Sequence, residues 1–291
     1  MAFEEHNPTA VFLYFMIVML ITMFCMNPVI LMLSLTGALC LYCVRNAGGK
    51  RQFHLFIAVL FTLTALINPI FYHNGVTVLF VVNDSPITLE AAVYGVFAGL
   101  MICTTLYWFR SFSEIFTSDR LLYVFGSFSP KVALLLSMTL RFIPLFRLQT
   151  KKTEAAQKAL GLYCADSLPD TVRAKARVFS VMVTWGLENG IITADSMSAR
   201  GYGTGRRTRF SRFRFRRCDA FLLSFSLAVG VFTAIMLMTG ALDFAFYPKL
   251  CTVPLTIPAS ASYICFGALA LAPSFIEIKE SLKWKYLLSK I

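Results

Sequence analysis

Long apolar runs separated by short polar segments are the dominant pattern along this chain. A membrane-spanning helix needs about 20 mostly apolar residues, because each residue advances about 1.5 Å across roughly 30 Å of hydrocarbon. Runs that approach this length occupy residues 11–26, 29–44, 53–71, 87–109, 220–242 and 255–276. The first two are short and share a break at Asn27-Pro28, so they form either a hairpin or one kinked helix; we favour two spans.

The segment between the fourth and fifth runs is too long for a simple loop and contains two further helical patterns. The first covers residues 130–161 and begins at Pro130, a residue suited to the first turn of a helix. Arg141 and Pro144 interrupt its apolar part. An arginine at the centre of a bilayer costs at least a few kcal/mol, so we expect this helix to be sheltered by other protein rather than to form a seventh crossing.

The second pattern covers residues 171–203, where basic residues precede an apolar face at helical spacing. The apolar positions are Val178, Val181, Met182 and Trp185. This spacing predicts an amphipathic helix at a membrane or protein boundary. The predicted fold is therefore an all-α membrane protein with about six transmembrane helices and two long cytoplasmic amphipathic helices. Its regions are 1–110 (about four transmembrane helices), 111–218 (the cytoplasmic helical region) and 219–291 (two transmembrane helices and a basic tail).

Composition and charge agree with a lipid environment, since 57% of the residues are hydrophobic and only 14% are charged. Soluble domains contain about 45–50% apolar and about 25% charged residues.

With six spans and the N-terminus inside, the external segments contain only Lys249 of the 27 lysines and arginines, which follows the positive-inside rule. Glu4 and Glu5, with no basic residue beside them, argue against a cleaved secretory signal. We expect a multi-pass protein of the cell membrane with both termini in the cytoplasm.

Patterns typical of catalysis or metal binding are absent from the sequence. It contains no Walker A loop, GxSxG elbow, HExxH or GxGxxG. The three histidines are widely separated, and Cys40 and Cys43 lie inside an apolar run without two further ligands in a matching pattern. We therefore expect no enzymatic activity, no metal site and no cofactor bound by this chain.

The triplet Ala199-Arg200-Gly201 ends the second amphipathic pattern. Gly201 can adopt the left-handed conformation that stops a helix, and the small Ala199 lets a partner surface approach the backbone. Arg200 would then present a planar charged group suited to paired oxygen acceptors. The alternative is an ordinary helix end with a solvated arginine.

Five stretches of the chain form a recognisable series. They are "INPIFYHNG" (67–75), "TLEAAVYGVFAGL" (88–100), "LRFIPLF" (140–146), "AAQKALG" (155–161) and "SMSARGYG" (196–203). In these motifs the chain resembles the transmembrane T component of energy-coupling factor (ECF) transporters, of the CbiQ/EcfT type. The resemblance covers nearly the whole chain.

The resemblance implies that two cytoplasmic coupling helices end in Ala-Arg-Gly-like motifs. Each tip would dock on one of two ABC ATPase subunits, or on one fused pair, which use ATP and Mg. A small membrane S component would bind the vitamin or metal ion. The docking residues implied here are Ala159, Leu160, Gly161, Ala199, Arg200 and Gly201. Because leucine replaces the arginine of the first motif, the two contacts are expected to be unequal.

Two other features have alternative interpretations. A basic segment directly precedes the predicted span at 220–242, so we expect it to face anionic lipid. Its arginines are Arg206, Arg207, Arg209, Arg212, Arg214, Arg216 and Arg217. Contact with the ATPases and binding of nucleic acid are the alternatives, and we expect no nucleic acid. Ala91, Gly95 and Gly99 have small-xxx-small spacing, which favours packing inside the chain or a surface for the S component.

Two other functional classes are possible on sequence alone. A stand-alone channel or carrier would need a polar stripe in its spans, but the predicted spans contain almost no ionisable residues. A membrane-anchored protein that binds lipid or nucleic acid would explain the arginines and leave the two long amphipathic helices without a role. Coupling of ATP hydrolysis to transport is the function that the resemblance implies.

Overall fold

A computed structural model describes residues 3, 6–45, 51–72, 75–82, 85–162, 168–205, 213 and 215–288. In chain order its elements are α1 (Pro8–Phe24), α2 (Pro28–Arg45), α3 (Arg51–Phe71), β1 (Val78–Val82), β2 (Ser85–Thr88), α4 (Leu89–Ile115), α5 (Ser118–Phe128), α6 (Pro130–Ala159), α7 (Leu168–Ala199), α8 (Arg217–Met238) and α9 (Ile257–Leu288). They form two compact units, Met1–Val124 with Phe213–Ile291 (unit 1) and Phe125–Arg212 (unit 2).

The predicted all-α membrane fold is confirmed: the described residues contain six helices long and apolar enough to cross a membrane. The set of six differs from the predicted runs. The helix α1, with 17 residues, is shorter than the six candidates. The helix α6, which we did not expect to cross, is long and apolar enough to do so. No residue in the apolar window of α6 is buried inside the chain, so the shelter that we expected for Arg141 is not provided by the described part of this protein.

The break between α1 and α2 is fixed by Asn27, so the two-helix interpretation of the first apolar runs is confirmed. The Asn27 amide donates to the Leu242 carbonyl at 3.1 Å and to the Tyr263 hydroxyl at 2.9 Å. Its side-chain oxygen accepts from the backbone N–H of Val29, in the first turn of α2. A buried amide with three partners holds the turn against α9 and the loop before it.

The core of unit 1 combines apolar packing with satisfied polar groups. Trp108 of α4 is fully buried and donates through Nε1 to the Ser34 hydroxyl at 2.9 Å. Ser34 in turn pairs with Thr22 Oγ1 at 2.7 Å. These bonds join α1, α2 and α4, and in an apolar surrounding they avoid the cost of unpaired polar atoms.

Close backbone approach joins α2 to α9. A Cβ added at Gly37 would lie 2.7 Å from the Ala270 carbonyl oxygen, so only glycine permits this contact. Further along the same helix pair, the Arg45 guanidinium meets the Glu277 carboxylate at 2.7 Å.

A two-stranded antiparallel hairpin, β1–β2, precedes α4 and was not predicted. Glu90, in the first turn of α4, is buried and accepts from the Thr77 hydroxyl at 2.7 Å and from the Thr77 backbone N–H. The Thr88 hydroxyl accepts from the Ala91 N–H and caps the helix. These contacts anchor the hairpin to the start of α4.

In unit 2, α6 and α7 confirm the two predicted long helices. The rings of Phe146 and Trp185 meet edge to face with 5.3 Å between centroids. The buried strip on α7 follows Ala174, Val178 and Met182. Val181, which we placed on the same apolar face, is 45% exposed. It lies three residues after Val178, at the edge of this face and not at its buried centre.

Candidate functional site

The first predicted tip ends α6 in a Schellman motif. The Gly161 N–H donates to the Lys158 carbonyl at 3.1 Å, and the Leu162 N–H donates to the Gln157 carbonyl at 3.0 Å. Gly161 has φ of 67°, and a Cβ at that position would have no atom within 4 Å. The glycine is therefore required by backbone conformation and not by lack of space.

The second predicted tip ends α7 with the same hydrogen-bond pattern. The Gly201 N–H donates to the Ser198 carbonyl at 3.0 Å, and the Tyr202 N–H donates to the Met197 carbonyl at 3.0 Å. Gly201 has φ of 77°. The Thr204 hydroxyl donates to the Gly201 carbonyl at 2.7 Å, which closes the turn beyond the helix. Two helices of unit 2 thus end in equivalent backbone geometry.

The Schellman motif alone does not mark a docking site. The α8 helix ends in the same way, with the Gly240 N–H donating to Leu237 and the Ala241 N–H donating to Met236. The end of α8 is exposed as well, at Met238, Thr239 and Gly240. What distinguishes the two tips of unit 2 is the residue before each glycine, Leu160 or Arg200, where α8 has Thr239. All residues of the two tips are exposed, namely Ala159, Leu160, Gly161, Ala199, Arg200 and Gly201.

The two tips present different chemistry. Leu160 is 72% exposed. Arg200 is exposed, and in the described part of the chain its guanidinium has no hydrogen bond or ion pair. One tip therefore offers apolar surface, and the other offers a charged planar donor with its hydrogen-bonding capacity unused.

The first tip is held against the side of α7. Arg177 donates through Nη2 to the Leu162 carbonyl at 3.2 Å. Since Phe146 contacts Trp185 while Leu162 contacts Arg177, the two helices run antiparallel. Arg200 follows the far end of α7, about 35 Å along the helix from Arg177.

Large apolar side chains cover the outer faces of α6 and α7. The exposed ones are Val132, Leu135, Ile143, Leu145, Leu148, Val172, Phe179, Val181, Val183, Leu187, Ile191 and Ile192. From Leu187 to the end of α7 no residue is buried. These faces are suited to lipid or to an apolar protein surface.

The three small residues of α4 lie inside unit 1. A Cβ at Gly95 would lie 2.9 Å from the Ala65 carbonyl oxygen, and one at Gly99 would lie 3.0 Å from the Phe61 ring. Ala91 is fully buried. Gly95 and Gly99 therefore contact α3 of the same chain.

Of the predicted basic segment, Arg206, Arg207, Arg209, Arg212 and Arg214 lie outside the described residues. Arg216 and Arg217 stand at the start of α8.

The start of α8 contacts the N-terminal segment, a pairing that no local pattern in the sequence indicated. The Asp219 carboxylate is fully buried, accepts from the Arg216 and Asn7 backbone N–H groups, and lies 2.6 Å from His6 Nδ1. More than 200 residues separate His6 from Asp219, so no local pattern could predict this pair.

Among the described residues, no group of three or more His, Cys, Asp or Glu side chains is close enough to hold a metal ion. His6 contacts Asp219, and His54 contacts the Tyr107 hydroxyl at 2.8 Å. His73 lies outside the described residues.

Comparison with known proteins identifies the family. Residues 3–211 match the family model CbiQ, described as cobalt transport protein. The energy-coupling factor transporter transmembrane protein EcfT of Listeria innocua serovar 6a is 32% identical over 180 residues, covering 57% of this chain and 67% of the relative. Together with the six candidate spans, these matches show that the chain belongs to the CbiQ family, as a multi-pass membrane component of the energy-coupling factor transporter type.

Proposed function

We propose that this chain is the coupling subunit of an ECF-type ABC importer. It transmits ATP-driven motion from two ABC ATPases, or one fused pair, to an S component that takes up a vitamin or metal ion. The observation that carries the proposal is the pair of equivalent, exposed helix tips in unit 2. ATP and Mg belong to the ATPases, and this chain contributes no catalytic group.

Arg200 is the charged anchor of the second tip. A guanidinium forms bidentate hydrogen bonds with carboxylate or carbonyl oxygens, and hydrogen bonds to charged groups contribute roughly 1.5–3 kcal/mol. Because the Arg200 side chain has no partner in the described chain, docking breaks no internal contact.

Leu160 supplies the first contact through apolar burial. Fully burying a leucine contributes roughly 1.5–3 kcal/mol, and 72% of Leu160 is available to be covered. The two contacts are therefore comparable in strength, but the first has less geometric specificity because dispersion contacts have no preferred direction.

The separation of the tips favours two docking sites. Arg200 lies about 35 Å along α7 from Arg177, the residue that holds the first tip. One groove on one protein cannot receive both ends. A pair of ATPase subunits, each offering one groove, matches this spacing.

The exposed apolar faces of α6 and α7 are the surface that we assign to the S component. An S component is itself a membrane protein, so its contact surface is apolar, and these two helices leave large apolar side chains uncovered by their own chain. Motion of either tip then moves the surface on which the S component rests.

The orientation with both termini in the cytoplasm follows from the distribution of cations. Lys249 lies in the loop between α8 and α9, whereas Arg45, Arg51, Arg216 and Lys279 lie at the opposite ends of their helices. Cations concentrate on the cytoplasmic side of membrane proteins. We therefore infer that the basic side faces the cytoplasm, where ATP is available to the ATPases that dock on unit 2.

Arg200→Glu tests the proposal directly. We expect the reversed charge to remove the ATPases from a detergent-solubilised complex during affinity purification, while Leu160→Ala reduces their recovery less. Arg147→Glu, which makes the same change at an exposed position of α6 away from both tips, is the matched control. Size-exclusion chromatography verifies folding. Unchanged ATPase recovery with a folded Arg200→Glu chain would refute the proposal.

A further inference from the structure

A cavity of about 800 Å³ lies in unit 1 where α8 begins and residues 272–283 of α9 pass it. We propose that this cavity binds one anionic phospholipid, whose phosphate contacts basic side chains at the rim while its acyl chains lie along an apolar wall. The proposal is independent of the docking of ATPases.

The rim of the cavity is basic. Arg216 and Arg217 reach it from the start of α8, and Lys279 and Lys283 reach it from α9. The two lysines are four residues apart and therefore share one face of the helix. All four side chains belong to exposed residues, so a ligand can approach them from the lipid–water boundary. Basic side chains between transmembrane helices are suited to phospholipid headgroups.

The acidic groups near the rim do not cancel this charge. Asp219 is fully buried, and its carboxylate is occupied by backbone N–H groups of Asn7 and Arg216 and by His6. Glu280 lines the cavity, and its Oε2 atom is buried without a hydrogen-bond partner in the described chain. A headgroup with hydroxyl groups can donate to Glu280 while its phosphate contacts the lysines. This combination favours a phosphatidylglycerol-type lipid.

The wall of the cavity is apolar. Phe221 and Phe225 stack with 6.1 Å between centroids and 5° between ring planes. Ala272 and Ile276 face them from α9. Phe221 is 72% exposed, which would be costly in water and is favourable against an acyl chain.

The depth of the site agrees with a lipid ligand. Both α8 and α9 are long and apolar enough to cross a membrane, and the basic rim lies at the first residues of α8. A phosphate at this rim would sit at headgroup depth, and the phenylalanines lie one to two turns further into the helix, where hydrocarbon begins. A soluble phosphate would use the rim and leave the wall uncovered.

Cys218 provides a probe because it lines the cavity and is exposed. Cys251, also exposed, lies in the loop before α9 and serves as the internal control. The full chain in neutral detergent is alkylated with N-ethylmaleimide at 150 mM salt, and modification of each cysteine is followed by peptide mass spectrometry. The additives are dioleoylphosphatidylglycerol, dioleoylphosphatidylcholine or glycerol 3-phosphate.

We expect phosphatidylglycerol to slow alkylation of Cys218 about fivefold or more, with Cys251 unchanged. Native mass spectrometry should detect one retained phosphatidylglycerol per chain. Lys279→Gln with Lys283→Gln should weaken the protection about 25-fold in lipid concentration, since each cation near an anionic headgroup contributes roughly fivefold. Lys249→Gln, which removes a cation elsewhere, should leave it intact.

Three outcomes would overturn the proposal. Equal protection by phosphatidylcholine would show that the basic rim does not select charge. Equal protection by glycerol 3-phosphate would identify a site for a soluble phosphate in place of a lipid. Full protection in the double lysine variant, with its fold verified by thermal unfolding, would show that anionic lipid covers Cys218 from elsewhere.

Discussion

The Arg45 guanidinium and the Glu277 carboxylate form an ion pair that joins the end of α2 to α9, with 2.7 Å between Nη1 and Oε1 and 5% of each side chain exposed. Removing water from two charges is costly, so such a pair contributes little net stability. Neutralising one partner is strongly destabilising, because the other charge then stays buried without its counter-charge.

Glu277→Gln is therefore expected to destabilise unit 1 by roughly 3–5 kcal/mol, measured by thermal unfolding in detergent. The matched control is Glu114→Gln, which breaks the more exposed pair of Arg110 and Glu114 on α4. Pairs of that kind contribute only about 0.3–0.5 kcal/mol. Similar unfolding temperatures for the two variants would contradict the assignment of a buried pair.

Loss of the Glu90 carboxylate is expected to detach the hairpin from α4. Glu90 accepts from both the hydroxyl and the backbone N–H of Thr77, so Glu90→Ala leaves two donors without their partner, at about 1–3 kcal/mol each if they stay buried. Limited proteolysis should show earlier cleavage near residues 75–88. Thr77→Val, which removes only the hydroxyl, should have a smaller effect, and equal cleavage of Glu90→Ala and the unmodified chain would refute this role.

Alanine at Gly95 and at Gly190 should have opposite effects. A Cβ at Gly95 would meet the Ala65 carbonyl oxygen and Asn68 Cβ at 3.0 Å or less, whereas one at Gly190 would meet no atom within 4 Å. Gly95→Ala should lower the unfolding temperature because α3 and α4 must separate. Gly190→Ala should raise it slightly, since alanine favours a helix by about 0.8–1.0 kcal/mol over glycine.

Arg177 is expected to position the first tip. Its guanidinium donates to the Leu162 carbonyl, and Arg177→Gln removes that bond without changing Leu160. We expect lower ATPase recovery than for Arg173→Gln, a control at an exposed arginine of the same helix that pairs only weakly with Asp170 at 3.8 Å. Equal recovery for the two variants would show that the first tip does not depend on this contact.

The elements that were predicted from sequence are those with long, uninterrupted local patterns. The apolar runs, the two long helices of unit 2 and the glycine that ends each tip are local features, and the structure contains all of them. The hairpin was missed because Val78–Val82 is a five-residue run, too short for its periodicity to distinguish a strand from a loop. The C-terminal end of α1 differs from prediction because Asn27 contacts α9 and its preceding loop, a contact that local sequence does not encode.

The roles of individual residues were less predictable than the helices. His6 and Asp219 are each unremarkable in their own segments, and only the packing of α1 against α8 brings them together. Lys279 and Lys283 were assigned to a basic tail, but the structure places them opposite Arg216 and Arg217 around one cavity. Conversely, Gly95 and Gly99 have a spacing that suits several partners, and only the structure identifies α3 as the helix that they contact.

The exposed C-terminal part of α7, residues 187–199, has a mechanical consequence. Phe146 of α6 lies against the backbone of Gly186, and beyond it no residue from Leu187 to Ala199 is fully buried. This part of the helix is about 20 Å long and is followed directly by Arg200. Tilting this part of α7 by about 10° about Gly186 displaces Arg200 by about 3.5 Å. A small rotation of the helix therefore moves its end by about the length of a hydrogen bond.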